Sequence, residues 1–180
     1  MLQAPETIAT ERLALRRPAL SDAEAIFEYG RDTEVTRYMD WPTHKSEQTV
    51  IEHLRSCPPR WESGEEFHWV ITLRPYDRAI GGISCRIRGH SADFGYVLNR
   101  RYWRRGIATE AARAVVAWVS TLEPVYRLWA TCDTENLASV RVLEKAGLTR
   151  EGILRCWAIR PNISQQPRDA FVYAKVRSAA

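Results

Sequence analysis

The apolar pattern of this chain changes its period at Gly106, and this change constrains the fold more than any other feature. Residues 92–98 form a predicted strand, which ends at a short loop that carries four arginines. Beyond Gly106 the apolar residues recur three or four positions apart, at Ile107, Ala111, Val115, Trp118 and Val119. Such spacing gives a helix one apolar face. The segment therefore predicts a strand, a loop and a helix in immediate succession.

Strand patterns occur along the rest of the chain as well. The predicted strands cover residues 12–17, 68–73, 79–87, 92–98, 127–132, 152–159 and 170–176. An antiparallel run of strands thus leads into the order strand, helix, strand, helix, strand. We expect one mixed α/β sheet with helices on both faces, in a single domain of residues 1–180.

Helical patterns alternate with these strands. The predicted helices cover residues 21–29, 34–39, 46–57, 107–119 and 139–146. Ser46 is the expected N-cap of the third helix, and Pro58 and Pro59 are expected to end it, because proline removes a backbone donor. Gly147 is expected to end the last helix, since glycine adopts the left-handed conformation of a helix C-terminus.

Length and composition are those of an ordinary globular domain. The chain has 180 residues, of which 45% are hydrophobic and 27% charged, and no stretch approaches the ~20 apolar residues of a membrane span. Residues 1–8 are polar and of mixed charge, unlike a signal peptide. We therefore expect a cytoplasmic protein that does not bind membranes.

The cysteines and histidines suggest no metal centre. They form no Cys-x-x-Cys and no His-x-x-x-His pair, and we expect no histidine at ligand spacing from a cysteine. Free, buried thiols and the absence of a bound metal are the resulting predictions. The residues concerned are Cys57, Cys85, Cys132, Cys156, His44, His53, His68 and His90.

The positive charge is modest overall and concentrated at one place. The net charge is +4, and four arginines, Arg100, Arg101, Arg104 and Arg105, lie within six residues. A small polyanion accounts for such a cluster as well as a nucleic acid does. Because the chain lacks an aromatic–basic recognition motif on a strand, we expect no nucleic-acid partner.

The arginine-rich loop before the predicted helix of residues 107–119 is a candidate anion site. The first turn of a helix exposes free N–H groups and the positive end of the helix dipole. Gly106 permits a ligand to approach the backbone closely, and Ala108 keeps the next position small. Arg104 and Arg105 can add charge-assisted hydrogen bonds to phosphate oxygens. The spacing alone leaves a second interpretation open, a helix start flanked by solvated arginines.

Residues 102–111 (Tyr-Trp-Arg-Arg-Gly-Ile-Ala-Thr-Glu-Ala) resemble the coenzyme A signature of the GNAT acetyltransferase superfamily, Q/R-x-x-G-x-G/A. Trp103, Gly106 and Ala108 occupy its first, fourth and sixth positions. The flanking residues look like those of the branch that acetylates the N-termini of ribosomal proteins.

Two further segments carry the same resemblance. Residues 136–148 (Asn-Leu-Ala-Ser-Val-Arg-Val-Leu-Glu-Lys-Ala-Gly-Leu) are similar to that branch's N-x-x-S-x-x-V-L-E-K-x-G-F segment, and residues 10–16 fit its start. The resemblance covers most of the chain. It implies a central, mostly antiparallel, splayed sheet of about seven strands, with acetyl-CoA as the acyl donor.

The resemblance also implies how the cofactor is bound. The strand that carries Val97 and Leu98 should separate from its neighbour and pair through its backbone with pantetheine. Asn136 and Ser139 should contact the pantetheine arm. The pyrophosphate should lie on the backbone amides of Arg104, Arg105, Gly106, Ile107, Ala108 and Thr109.

Two residues are candidates for catalysis. Asp93 falls where the related branch has a glutamate and is the candidate base; the alternative is an ordinary turn or solvent-facing carboxylate. Ser139 is the candidate acid that protonates the departing thiolate, unless it only binds the cofactor or caps its helix. Leu143 stands where many superfamily members have an acidic tyrosine. Glu110 is expected to stabilise a helix N-terminus.

Arg104 departs from the family pattern because a glycine usually follows Trp103. Residues 157–169 are expected to form a longer, proline-flanked loop than usual, with Arg168 and Asp169 as a structural pair. This loop and residues 38–44, with Tyr38 and Trp41 as binding candidates, should form the walls of the acceptor site.

The resemblance implies transfer of an acetyl group to a primary amine in a ternary complex, and a protein N-terminal α-amine is favoured. The alternatives are a small-molecule amine, such as an aminoglycoside, a polyamine or an amino acid, and a non-catalytic acyl-CoA-binding module. A monomer and a homodimer are both compatible with the sequence.

Overall fold

The computed structural model describes residues 3–177, which form one layered α/β domain around a single sheet. The strands are β1 (Thr7–Ala9), β2 (Leu13–Arg16), β3 (Phe67–Leu73), β4 (Ala79–Arg88), β5 (Ser91–Leu98), β6 (Arg127–Asp133), β7 (Thr149–Arg160) and β8 (Ser164–Val176). The helices are α1 (Ala23–Gly30), α2 (Thr33–Thr36), α3 (Glu47–Ser63), α4 (Ile107–Ser120) and α5 (Leu137–Lys145). None of the helices among residues 3–177 has the length and apolar character needed to cross a bilayer.

The sheet has eight strands in the order β1-β2-β3-β4-β5-β6-β8-β7. Every neighbouring pair is antiparallel except β5 and β6, which are parallel. This parallel pair is joined over only three positions, from Ser91 opposite Arg127 to Asp93 opposite Trp129. Beyond Asp93 the two strands separate, which confirms the expected mixed, mostly antiparallel and splayed sheet.

Helices cover both faces of the sheet, as the sequence predicts. On one face α4 and α5 bury a large core that includes Trp69, Val115 and Leu143. On the other face α1 and α3 bury a smaller core that includes Tyr29 and Val50. The apolar positions of α4 predicted from their helical spacing lie in the larger core, since burying them provides the driving force for docking the helix.

Helix α3 does not end at Pro58 and Pro59 as predicted but continues through both to Ser63. Proline inside a helix removes a hydrogen bond and costs roughly 3 kcal/mol per residue. The last turn is stabilised by tertiary packing, because the Trp61 ring lies edge-on to Phe67 and Trp69, each 5.2 Å away between centroids.

The predicted loop at residues 157–169 is also wrong. Strand β7 continues to Arg160 and β8 starts at Ser164, so the connection is a three-residue turn. The prolines do not disrupt the hairpin because Pro161 lies in the turn and Pro167 lies beside an irregularity in the strand pairing. Irregular pairing between β7 and β8 therefore accommodates the prolines from which the sequence predicted a loop.

Smaller differences concern the first half of the chain. The short strand β1 pairs with β2 and raises the strand count to eight, against the expected seven. Helix α2 covers Thr33–Thr36, which is shorter than the predicted 34–39. Ser46 is the N-cap residue of α3 as expected, although its side chain makes no capping hydrogen bond.

Candidate active site

A cleft of about 260 Å³ opens where β5 and β6 separate. Because the side chains of a strand alternate between faces, Asp93 and Val97 of β5 project toward α1 and α3, whereas Phe94, Tyr96 and Leu98 project toward α4 and α5. The cleft therefore connects the two faces of the sheet. Its lining includes Tyr38, Asp40, Arg86, Asp93, Tyr96, Cys132, Asp133, Asn136, Ser139, Leu143, Trp157 and Arg160.

The arginine-rich loop begins at the end of β5, and its backbone adopts an unusual conformation at two positions. Gly106 is the N-cap of α4 with φ of 74°, a left-handed conformation that glycine adopts without steric cost. Arg104 has φ of 60°, which explains why glycine usually occupies this position. The indole N–H of Trp103 donates to the Leu98 carbonyl at 2.8 Å and ties the loop to the strand.

The four arginines of this loop divide into two pairs. Arg100 forms an ion pair with Asp32 at 3.0 Å, and Arg101 forms one with Glu28 at 2.9 Å. Arg104 and Arg105 are exposed, and no carboxylate among residues 3–177 lies within 4 Å of either guanidinium. Only the second pair, next to the α4 N-terminus, is thus available for a phosphate ligand.

Glu110 of α4 anchors this loop to the N-terminal strands. Its carboxylate accepts hydrogen bonds from the Thr10 hydroxyl at 2.6 Å and from the Arg12 backbone N–H at 3.0 Å. The Arg12 side chain also bonds Glu110 and donates to the Arg105 carbonyl at 3.1 Å. Burial raises the pKa of Glu110, but these hydrogen bonds and the Arg12 charge outweigh burial and lower the pKa overall. The expected stabilising role of Glu110 therefore takes the form of a tether.

The end of β5 offers an unpaired backbone edge to a ligand. Val97 and Leu98 pair with Gly82 and Gly81 of β4 on one side, whereas β6 has left β5 on the other. The Val97 carbonyl lies only 2.5 Å from the position that a Cβ on Gly81 would occupy, so the two strands approach closely there. Val97 is half-buried and Leu98 is buried. Such an edge can accept an extended ligand such as pantetheine.

Asn136 and Ser139 lie at the start of α5, where both line the cleft. The Asn136 side chain accepts a hydrogen bond from the Ser139 backbone N–H at 3.1 Å and caps the helix. The Ser139 hydroxyl lies 2.7 Å from the Tyr96 hydroxyl. Ser139 thus faces the cleft as part of a hydroxyl pair and is not the capping residue.

Tyr96 is a candidate that the sequence prediction missed. Position 143, where the family resemblance places an acidic tyrosine, is occupied by the buried Leu143. Burial raises the pKa of Tyr96, and the hydrogen bond to Ser139 only partly offsets this, so the hydroxyl is protonated at neutral pH. Its position two residues after Phe94 on the same strand face was the available signal, but nothing in the sequence indicated its contact with α5.

Asp93 lines the cleft from the face of the sheet that α1 and α3 cover, and it is 8% exposed. Its Oδ2 accepts from the Arg86 Nε at 2.8 Å, and a second Arg86 nitrogen contacts the same oxygen. Arg86 also lies 3.9 Å from Glu66. The carboxylate is therefore a buried, ion-paired strand residue and not the turn or solvent-facing group of the alternative interpretation.

The expected pair of Arg168 and Asp169 does not form. Arg168 instead binds Asp133 at 2.7 Å and Glu135 at 3.0 Å, and Asp169 binds Arg155. Burial alone would raise the pKa of Asp133, but the Arg168 bonds and a backbone N–H outweigh it and lower the pKa. Neighbouring residues of a strand point to opposite faces, which is why these two have different partners.

The two residues expected to bind the acceptor, Tyr38 and Trp41, differ in their position relative to the cleft. Tyr38 lines the cleft, whereas Trp41 stacks on His44 with ring centroids 4.6 Å apart and does not line it. Asn162 of the β7–β8 turn donates to the Trp41 carbonyl at 2.9 Å and accepts from the Thr43 N–H at 2.8 Å. The turn and the segment after α2 are thus joined into one wall, and their role in binding an acceptor stays a prediction.

One group of possible metal ligands contradicts the expectation that no histidine lies at ligand spacing from a cysteine. His53 and Cys57 are four residues apart on α3, and the Cys57 Sγ lies 3.8 Å from the His53 Nε2. His68 of β3 completes the group, and all three ligand atoms lie within 4.8 Å of one another. The i, i+4 spacing was visible in the sequence, but the partner on β3 was not.

Comparisons with known proteins agree with this geometry. A family model described as acetyltransferase (GNAT) domain matches residues 12–149. The uncharacterized N-acetyltransferase YoaA of Bacillus subtilis (strain 168) is 31% identical over 173 residues, which are 94% of this chain and 96% of that protein. A GNAT-family acetyltransferase from Bacillus anthracis has the same fold, with a TM-score of 0.82 and 27% identity, over 94% of this chain and 98% of that chain.

A ribosomal L7/L12 α-N-protein acetyltransferase, RimL, solved with coenzyme A, is also similar in fold. Its TM-score is 0.83 at 20% identity, over 95% of this chain and 98% of that chain. At this identity the similarity concerns the fold. Together, the family match, the splayed sheet and the arginine loop at a helix N-terminus show that this chain belongs to the GNAT acetyltransferase family.

Proposed function

We propose that this acetyltransferase moves the acetyl group of acetyl-CoA to a primary amine by direct attack in a ternary complex. The observation that carries the proposal is the cleft through the sheet. A hydroxyl pair, Ser139 and Tyr96, lies on its α4–α5 side, and an ion-paired carboxylate, Asp93, lies on its α1–α3 side. Donor and acceptor can thus enter from opposite faces and meet between β5 and β6.

Acetyl-CoA fits the α4–α5 side. Its pyrophosphate binds at the helix N-terminus, where Arg104 and Arg105 lack acidic partners among residues 3–177. The amides of the loop and first helical turn donate to it, at Arg104, Arg105, Gly106, Ile107, Ala108 and Thr109. The pantetheine arm pairs with the open edge of β5 at Val97 and Leu98 and passes Asn136.

The reaction needs a neutral amine, a polarised carbonyl and a leaving thiolate. The amine attacks the thioester carbon, and a β5 backbone N–H stabilises the oxyanion. Collapse breaks the C–S bond, and the Ser139–Tyr96 hydroxyl pair donates the proton that the coenzyme A thiolate takes up. The proton released by the amine returns to this pair through solvent, which restores both hydroxyls. Asp93 accepts the proton that the amine loses, directly or through water.

We favour an α-amine as the acceptor, such as a protein N-terminus. At pH 7 about one-tenth of an α-amine is neutral, whereas a lysine amine is neutral in well under one part in a thousand. Forming the neutral amine at pH 7 therefore costs roughly 3 kcal/mol less for an α-amine than for a lysine amine, so the α-amine depends less on a catalytic base. The resemblance of residues 136–148 to the ribosomal N-terminal branch supports this preference.

The test is release of coenzyme A thiol from acetyl-CoA in the presence of N-terminal peptides, small α-amines, polyamines or aminoglycosides. We expect turnover with α-amines, and about a hundredfold lower kcat for Asp93→Asn at pH 6 with a smaller loss at pH 8.5, where more amine is neutral. Coenzyme A binding without thiol release for any amine would contradict the proposal and indicate a binding module. An effect of Asp93→Asn that is independent of pH would exclude Asp93 as the base.

A further inference from the structure

Two of the charged groups that line the cleft have no ion-pair partner among residues 3–177, the exposed Asp40 and the buried Arg160. Asp93 is bound by Arg86, and Asp133 is bound by Arg168. Asp40 lies at the exposed rim. Arg160 is different, because no carboxylate among residues 3–177 lies within 4 Å of its guanidinium.

Arg160 is nevertheless only 9% exposed. Burial of a guanidinium without a counter-charge is costly, so buried arginines are normally paired. Asp133 is close enough for its pKa to respond to the Arg160 charge. However, Arg168 already binds both Asp133 oxygens, at 2.7 and 3.2 Å. The planar fork of Arg160 therefore lines the cleft without a partner of its own.

The position of Arg160 is well defined. It is the last residue of β7 and pairs with Ser164 across the hairpin, and its carbonyl accepts from the Ile163 N–H at 2.8 Å. Asn162 ties the same turn to the segment that holds Tyr38 at the cleft. The backbone at Arg160 is thus held in the same wall as Tyr38, and its side chain lines the cleft from there.

We propose that Arg160 binds an anionic group of the acceptor, so that the preferred substrates are primary amines that carry a carboxylate or a phosphate. The inference rests on the proposed acetyl transfer and narrows its acceptor class. A guanidinium binds either anion through two parallel hydrogen bonds. The anion can be the carboxylate of a free amino acid, an acidic side chain near a peptide N-terminus, or the phosphate of an aminoalkyl phosphate.

The test compares acceptors that differ only in the anion. The pairs are an L-amino acid and its amide, the peptides Ala-Glu-amide and Ala-Gln-amide, and phosphoethanolamine and ethanolamine. In at least one pair we expect the anionic member to have a kcat/KM about 10- to 100-fold higher, mainly through KM. The pair with the largest ratio identifies the source of the anion.

Variants test whether Arg160 causes the preference. Arg160→Gln should abolish it, Arg160→Lys should keep part of it, and Arg160→Glu should favour the uncharged member. Arg155→Gln is the matched control, because Arg155 is exposed on the same strand and pairs with Asp169. Equal kcat/KM within all three pairs, or a preference that survives Arg160→Gln, would overturn the proposal.

Binding separates failure of this inference from failure of the proposed function. A 2-hydroxy acid carries the carboxylate but no amine, and calorimetry can measure its binding with coenzyme A present. If no amine is acetylated but the hydroxy acid binds the native protein and not Arg160→Gln, acetyl transfer fails and the anion site stands. If amines are acetylated without anion preference, the anion site fails and acetyl transfer stands.

An independent observation concerns His53, Cys57 and His68. Zinc binds thiolate at ~2.3 Å and imidazole at ~2.0 Å in tetrahedral sites, which places neighbouring ligand atoms roughly 3.5 Å apart. The 3.8 Å between Cys57 Sγ and His53 Nε2 is close to that value, and the His68 ligand atom lies within 4.8 Å of both. His53 is exposed, so an ion can reach the group.

We infer that these three residues form a site for a thiolate- and imidazole-binding divalent cation, with zinc as the leading candidate and the fourth position open.

Cobalt(II) titration of the metal-free protein tests this site without reference to activity. We expect an intense thiolate-to-cobalt charge-transfer band that zinc removes. Cys57→Ser should abolish the band and His68→Ala should weaken cobalt binding at least tenfold, whereas Cys156→Ser, which removes an exposed thiol, should change neither. No charge-transfer band, or a band that survives Cys57→Ser, would overturn the inference.

Discussion

The two sides of the cleft are built in different ways. The cofactor side consists mainly of one continuous segment, residues 94–112, together with the first turn of α5. The acceptor side combines segments that are distant in the sequence, so that Asn162 contacts Trp41 across 121 positions. A contiguous site can be recognised from a motif, whereas the dispersed site becomes visible only in the fold. This difference explains why the sequence predicts the acyl donor, acetyl-CoA, more specifically than it predicts the acceptor amine.

The largest effect should come from Gly106 on the cofactor side. Gly106→Val places a β-branched residue at φ of 74° and blocks close approach of the pyrophosphate. We expect the Kd for coenzyme A to rise by more than about 100-fold, as measured by calorimetry. Gly64→Val is the control, because Gly64 has φ of 75° at the end of α3, far from the loop. Equal losses of binding in both variants would show that backbone strain, and not the site, is responsible.

The hydroxyl pair should affect catalysis more than binding. Ser139→Ala and Tyr96→Phe each remove one partner of the 2.7 Å contact. We expect kcat to fall about 10- to 100-fold with little change in the KM for acetyl-CoA, because the proton transfer occurs only as the thiolate leaves. Similar losses in the single and double variants would indicate a shared relay. A full effect of Ser139→Ala with none for Tyr96→Phe would remove Tyr96 from the mechanism.

The division of the arginine loop gives a direct comparison among four arginines that lie within six residues. Arg104→Ala and Arg105→Ala should each raise the Kd for coenzyme A about tenfold, since both guanidiniums lack acidic partners among the described residues. Arg100→Ala and Arg101→Ala should change it less than about twofold, because Asp32 and Glu28 already bind these side chains. The same change for all four variants would indicate a diffuse electrostatic effect.

A change in the wall on the proposed acceptor side should weaken binding of the amine and leave binding of coenzyme A unchanged. Asn162→Ala removes the hydrogen bonds to the carbonyls of Thr36 and Trp41. We expect the KM for the amine to rise about fivefold while the Kd for coenzyme A is unchanged, because the wall no longer holds Tyr38 in position. Thr49→Ala, on the exposed start of α3, is the control. A change in coenzyme A binding would show that the two sides are not independent.

The tether at Glu110 should contribute to stability in a pH-dependent way. Its pKa is lower in the folded state, so its contribution is complete above the unfolded pKa and is lost as the pH falls through the folded pKa. Glu110→Gln should lower the free energy of unfolding by about 2 kcal/mol at pH 7 and by much less near pH 3, as measured in urea. Glu11→Gln, an exposed neighbour, should have no such effect.

Periodicity predicted most of the fold correctly, and the errors have physical causes. The strands and helices around Gly106 follow from spacing, because each buries one face against the sheet. Pro58 and Pro59 were expected to end α3, but packing of Trp61 on Phe67 and Trp69 maintains the helix. Local preferences are worth a few kcal/mol and are overridden when burial of large aromatic rings opposes them.

The family, the α/β class and the arginine loop at a helix start could all be predicted from the sequence, because these features depend on residues that are neighbours along the chain. Tertiary structure alone showed that Tyr96 meets Ser139 and that Asp93 pairs with Arg86. It also showed that Arg160 lines the cleft with no carboxylate partner among residues 3–177. Charge and hydrogen-bond partners depend on distances between residues far apart in the chain, and only packing of the sheet and helices sets those distances.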